Sequence, residues 1–178
     1  MKSVSLKKSL LAVVAGLGMV GAAQAAPVQW GVNGHTYEFI AGDFTWAQAN
    51  ADAQSRGGYL ATVTSAAENT FLTTVSTQLG WLGGTDQAAE GTWVWVTGES
   101  WTYNNWNGGE PNDYGGGEDY LQLNWAVTGG WNDHGAPGNA GQQNGYFLER
   151  AAAVPEPATA LMMLAGLGLA GLSRRRRG

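Results

Sequence analysis

The chain has 178 residues, no cysteine, two histidines and a formal net charge of −5. That length allows one domain with a segment at either end, and the missing thiols exclude a disulfide framework and Cys/His catalysis. Once the basic ends are set aside, only Arg56 and Arg150 remain against nearly all of the acids, which excludes nucleic acid as a partner.

The chain opens with Lys2, Lys7 and Lys8, followed by the apolar run "LLAVVAGLGMVGAA" and by "AQA" at 23–25. A basic start, an apolar run and small residues before a cut define a secretory signal peptide, so residues 1–26 are expected to be removed near Ala25 or Ala26. "HTYEFI" at 35–40 alternates as a strand does. Thr45 and Gln48 form a capping box for a helix over "WAQANADAQSR", with Trp46, Ala49 and Ala53 on one face and Gly57-Gly58 at its end. "YLATV" reads as a short strand. Ser65 and Glu68 predict a second box and a second helix, whose face carries Phe71, Leu72, Val75 and Leu79 and which Gly80 closes.

Beyond Gly80 the pattern turns to short strands and glycine-rich loops. "WLGG", "TWVWV", "YLQLNW" at 120–125 and "GYFLER" at 145–150 are the expected strands. Trp81, Trp93, Trp95, Trp125 and Trp131 are expected in the core, and His35 has no partner in sight. The stretches 97–118 and 131–144 read as long loops, which compact domains rarely keep unless they carry function.

"EPNDYGGGED" at 110–119 crowds four carboxylates, Glu110, Asp113, Glu118 and Asp119, with no Lys or Arg near. Their mutual repulsion pushes each acid toward its protonated form. Asp86 and Glu90 precede this stretch, and Asn132 and Asp133 follow it. Oxygen donors without sulfur, and with His134 as the one nearby imidazole, suit calcium, which takes 6–8 oxygens at about 2.3–2.6 Å, better than magnesium. A solvated acidic loop is the alternative reading of the same composition.

The helix before "GGYLATV", then "WLGG", "EPN", "WND" and "FLER", arrive in an order that strongly resembles the C-type lectin-like domain over about residues 35–150. The resemblance implies an α+β fold in which two helices flank antiparallel β-sheets and a long loop region carries calcium. It implies a principal calcium and carbohydrate site of Glu110, Asn112, Glu118, Asn132 and Asp133, and an auxiliary calcium site of Asp86, Glu90, Asp113 and Glu118. It also implies a cis peptide before Pro111. In the family, Glu followed by Asn in this motif goes with mannose, glucose, N-acetylglucosamine or fucose. Tyr114, Trp106 and His134 border the expected sugar site. The family's usual disulfide cysteines are absent, with apolar residues such as Leu148 in their place, and "HGAPGNAGQQNG" after Asp133 is unusually long. A calcium-stabilised protein-binding or matrix-structural module without sugar binding is the alternative function; catalysis is not expected.

At the C-terminus "VPEP" at 154–157 precedes the apolar "ATALMMLAGLGLAGL" and the basic "SRRRRG". This order resembles the PEP-CTERM sorting tail of Gram-negative bacteria that make exopolysaccharide. It implies an exosortase-type sorting enzyme as one partner, a glycan or exopolysaccharide as another, and export to the cell envelope, surface or matrix. The expected division is a signal peptide at 1–26, a lectin-like domain at 27–152 and a tail at 153–178. The membrane is then met only through the two end segments.

Overall fold

A computed structural model describes residues 26–137 and 144–152; the expected signal cut, the C-terminal tail and the middle of the polar stretch after Asp133 lie outside the described residues. The order is β1 (Val28–Gln29), β2 (Thr36–Phe44), α1 (Trp46–Ser55), β3 (Tyr59–Leu60), α2 (Ala66–Val75), β4 (Gly80–Thr85), β5 (Val94–Trp95), β6 (Tyr120–Leu123), β7 (Trp131–His134) and β8 (Asn144–Arg150). The strands form one sheet in the order β1-β2-β8-β4-β6-β7, with β3 beside β8 and β5 beside β4. The fold is α+β, as the resemblance implies. Its sheet is mixed rather than wholly antiparallel, because β4 runs parallel to β8.

Alternation along β8 divides the core. Tyr146 and Leu148 join Ile40, Trp46, Ala49, Ala53 and Leu60 in a cluster that α1 covers. Phe147 points the other way, into a cluster with Tyr37, Phe39, Leu72 and Leu82 that α2 covers. Burying a large apolar side chain contributes about 1.5–3 kcal/mol, so a sheet buried on both faces can hold without disulfides. Leu148 is fully buried.

Helix α1 has both bonds of the expected capping box: Gln48 N donates to Thr45 Oγ1 (3.3 Å) and Thr45 N donates to Gln48 Oε1 (2.9 Å). Gly58 follows because a Cβ there would sit 2.3 Å from the Glu149 carbonyl oxygen. The second box is only half formed. Glu68 N donates to Ser65 Oγ (3.2 Å), but the Glu68 carboxylate accepts from Thr64 N (2.8 Å) and Tyr37 OH (2.7 Å) instead of reaching back. Helix α2 also stops earlier than expected, at Val75. Asn124 Nδ2 donates to the carbonyls of Ser76 (3.1 Å) and Gln78 (2.9 Å), so tertiary bonds replace the last helical turn. Leu79 therefore lies outside the helix, and Gly80 opens β4 rather than closing α2.

Four further expectations change. "TWVWV" contributes only Val94–Trp95 to the sheet. "WND" is not loop but strand β7, paired to β6 with Leu121 opposite Asp133 and Gln122 opposite Asn132. His35 does have a partner: its Nδ1 lies 2.6 Å from Glu149 Oε1, a carboxylate buried between Tyr37, Tyr59 and Thr62. Trp125, expected in the core, is 42% exposed. No helix among the described residues is long and apolar enough to cross a membrane.

Candidate functional site

The chain leaves the sheet after β5 and returns at β6, and aromatic packing fixes the base of that excursion. Trp101 stacks on Trp95 (centroids 4.3 Å apart, 28°), and Trp106 meets Trp93 edge-on at 4.8 Å. Trp131 stands edge-on to Trp95, Trp101, Tyr103 and Trp106. Its main chain pairs with the loop, since Trp131 N donates to Asn105 O (3.0 Å) and Asn107 N to Trp131 O (3.0 Å). Trp106 is thus part of the loop's own packing. Glu110 N then donates to Asn107 O (3.0 Å), and the chain enters the acidic stretch through a cis Glu110–Pro111 bond.

The first carboxylate group forms where this loop meets β7. Asp133 is 1% exposed. Its Oδ2 accepts from Asn112 N (2.9 Å) and Asp113 N (2.7 Å), which clamps the "EPND" turn to the sheet. Glu118 N donates to Asp113 Oδ1 (3.0 Å), and Tyr114 N donates to Glu118 Oε2 (2.9 Å). Glu118 Oε1 is 3.0 Å from His134 Nδ1. Burial first, then the neighbouring Asp133 carboxylate, and last the Glu118 charge hold the Glu110 carboxyl above its ordinary range. Glu110, Asn112, Asp113, Glu118 and Asp133 are therefore brought together. Asn132 arrives with them on β7, but its amide donates to Gln122 Oε1 (3.5 Å) and to the carbonyl of Asp133 rather than to the loop acids.

A second group lies beside the first. Carboxylate oxygens of Asp86, Glu90 and Asp119 all fall within 4.8 Å of one another. Asp86 sits just past β4, where its Oδ2 accepts from Gly91 N (2.9 Å). Asp113 borders this group, since its charge raises the Asp119 carboxyl after burial has done so. Glu118 is engaged by His134 and Tyr114, while Asp119, absent from both expected ligand sets, joins Asp86 and Glu90. Glu118 and Asp119 are neighbours just before β6, and the fold sends one acid to each group.

Three carboxylate oxygens in these groups, Asp86 Oδ1, Glu110 Oε2 and Asp133 Oδ1, are buried without a hydrogen-bond partner. Buried polar atoms are almost always paired, and a buried carboxylate oxygen without a donor is a strong cation ligand. Arg56 and Arg150 pair with Asp52 and Glu38. The donor set is hard oxygen throughout, so the residues present fit calcium.

The same repulsion predicts a pH dependence. Burial pushes the Asp86 carboxyl up, the charges of Asp119 and Asp133 push the same way, and the Gly91 N–H opposes them. Asp119 and Glu110 are also raised. With these groups raised, the folded state binds more protons than the unfolded one above the ordinary carboxylate range, so ΔG of unfolding falls as pH rises there. Chelated protein should therefore lose stability as pH climbs upward from about 4, as thermal melts across a pH series will show. Saturating calcium should remove that slope.

Comparison with known proteins places this architecture. The Lectin C-type domain family matches residues 43–137, and the PEP-CTERM protein-sorting motif matches residues 153–177. Ladderlectin of Oncorhynchus mykiss is 36% identical over 103 residues, covering 54% of this chain and 54% of ladderlectin. This chain covers no more than 61% of the length of that relative, of halomucin from Haloquadratum walsbyi or of a Pleurodeles waltl lectin. Among solved structures, the C-type carbohydrate-recognition domain of cow CD23 superposes with a TM-score of 0.59 at 31% identity, covering 67% of this chain and 90% of that one. A calcium-independent type II antifreeze protein superposes with a TM-score of 0.62 at 26% identity, covering 74% and 98%. The C-terminal motif marks an exported protein sorted to the envelope. With its domain matched over more than half its length and its fold shared with solved members, the chain belongs to the C-type lectin domain family and ends in a PEP-CTERM sorting motif.

Proposed function

We propose that the protein is a calcium-dependent lectin of the Glu-Pro-Asn type, displayed at the envelope or in the exopolysaccharide matrix of a Gram-negative bacterium. In this reading residues 1–26 are the signal peptide, 27–152 the lectin domain, and 153–178 a tail processed by an exosortase-type enzyme. The observation that carries it is the pair of unpartnered buried oxygens, Glu110 Oε2 and Asp133 Oδ1, within one cluster of loop and strand carboxylates.

Glu110, Asn112, Glu118, Asn132 and Asp133 would hold the principal ion; Asp86, Glu90 and Asp119, with Asp113 beside them, would hold an auxiliary one. Bound calcium supplies open coordination positions for two neighbouring sugar hydroxyls. Around those hydroxyls Glu110 and Glu118 would accept hydrogen bonds, and Asn112 and Asn132 would donate them through their amides. Charge-assisted bonds of this kind are roughly twice as strong as neutral ones. Mannose, glucose, N-acetylglucosamine and fucose are the favoured sugars. One such contact is small, so a single site is expected near millimolar, about −4 kcal/mol, and useful binding needs a polymer or many copies.

A glycan array read with and without calcium tests the proposal. Glu110→Gln keeps the shape of the side chain and removes its charge. It should reduce calcium-dependent glycan binding at least tenfold, by loss of a charged hydrogen bond and a ligand together, while the fold persists. Undiminished binding by this variant would overturn the assignment of Glu110. A second reading, a protein-binding or matrix-structural module, draws on the likeness to the antifreeze protein that is described as calcium-independent. Capture of a partner protein that free mannose does not displace would favour it.

A further inference from the structure

We infer that Trp125 is a second, aromatic contact for the glycan held at the Glu110–Asp133 cluster, taking the C–H face of the pyranose next to the calcium-bound one; this rests on the lectin reading above. Trp125 follows β6 and would be buried if the strand continued. Instead Asn124 (φ 69°) and Ala126 (φ 57°), on either side of it, adopt left-handed backbone, which non-glycine residues keep only where the surroundings impose it. The turn is imposed: Asn107 Nδ2 donates to Trp125 O (2.8 Å) and Gly129 N to Asn124 Oδ1 (2.8 Å). The result is an indole 42% exposed.

That ring packs against β7. It stacks on His134 (centroids 6.4 Å apart, 17°), which also stacks on buried Trp81 (6.2 Å, 21°). His134 directly follows Asp133, and its Nδ1 is 3.0 Å from Glu118 Oε1. The exposed indole is therefore one ring away from an acid of the principal cluster. Pyranoses present flat arrays of C–H groups that suit an aromatic face, and a ring already fixed by its turn loses little freedom on contact. Val127, 59% exposed, extends the rim. This apolar surface is far smaller than the roughly 800 Å² that each partner gives to a stable protein interface. A sugar residue continuous with the one at the cluster is the occupant that fits.

The test is calorimetric titration of the full calcium-loaded chain with methyl α-mannoside and with linear mannotriose. Wild type should bind the trisaccharide more tightly than the monosaccharide. Trp125→Ala should weaken mannotriose about fivefold and leave methyl α-mannoside within about twofold, and Trp125→Phe should restore most of the loss. Equal losses for both sugars, or a lost calcium-dependent rise in melting midpoint, would make Trp125 a support of the metal loop and overturn the inference. Wild type that prefers neither sugar overturns the inference and leaves the lectin reading standing. Wild type that binds neither of these, nor glucose, N-acetylglucosamine or fucose, overturns both.

Discussion

Saturating calcium is expected to raise the melting midpoint of the chelated protein by about 10 °C. An ion at 100 times its dissociation constant stabilises the state that binds it by about 2.7 kcal/mol. For a domain of this size, each kcal/mol moves the midpoint by about 4 °C. The effect is large because two clusters of acids share one loop. Asp133 charge raises both Asp86 and Glu110, so the groups burden each other when no cation is present. Asp133→Asn should abolish most of the shift. An amide keeps one acceptor oxygen for the Asn112 and Asp113 N–H groups, yet it removes the charge and turns an NH₂ toward the position of the unpartnered Oδ1. The same midpoint with EDTA and with excess calcium would sink the metal assignment, as would absent heat of ion binding at millimolar calcium.

Trp131→Ala should cost about 3–5 kcal/mol, a large share of the roughly 5–15 kcal/mol that holds a native domain together. The indole is fully buried and meets four other aromatic rings. Its Nε1 donates to Asn69 Oδ1 (2.7 Å), and Asn69 Nδ2 in turn donates to Gly129 O (3.0 Å), which ties α2 to the turn before β7. Denaturant unfolding will measure the loss. Trp131→Phe keeps one aromatic ring and loses the Asn69 bond with the volume of the second ring, so it should cost less than the alanine change. Because the indole also packs on Trp101, Tyr103 and Trp106 at the base of the loop, the alanine variant should weaken calcium binding as well, although residue 131 donates no ligand.

The two helices were legible because their signals are local. Thr45 and Gln48 lie three residues apart, and Trp46, Ala49 and Ala53 share a face, so no distant residue is needed to place α1. The end of α2 was not legible, since what stops it is Asn124, far along the chain. "WND" read as loop because so short a polar stretch carries no periodicity; its strand character comes from pairing with β6 and with the chain at Trp106. In the candidate site, motif order pointed to Glu110, Asn112, Glu118 and Asp133, and the structure gathers them with Asp113. Asp119 was passed over because its partners, Asp86 and Glu90, meet it only after the sheet forms. His35 and Glu149 likewise meet only across the β2–β8 pair.

The position of β8 beside β2 has a consequence for display. Thr36 lies opposite Arg150, and a Cβ on Gly34 would touch the Ala152 Cβ at 3.3 Å, so the two ends of the described domain lie side by side. β7, which carries Asp133, is an edge strand three places across the sheet from β8. A copy held through its C-terminus would therefore keep the strand that bears Asp133 three places across the sheet from the strand that leads to the attachment.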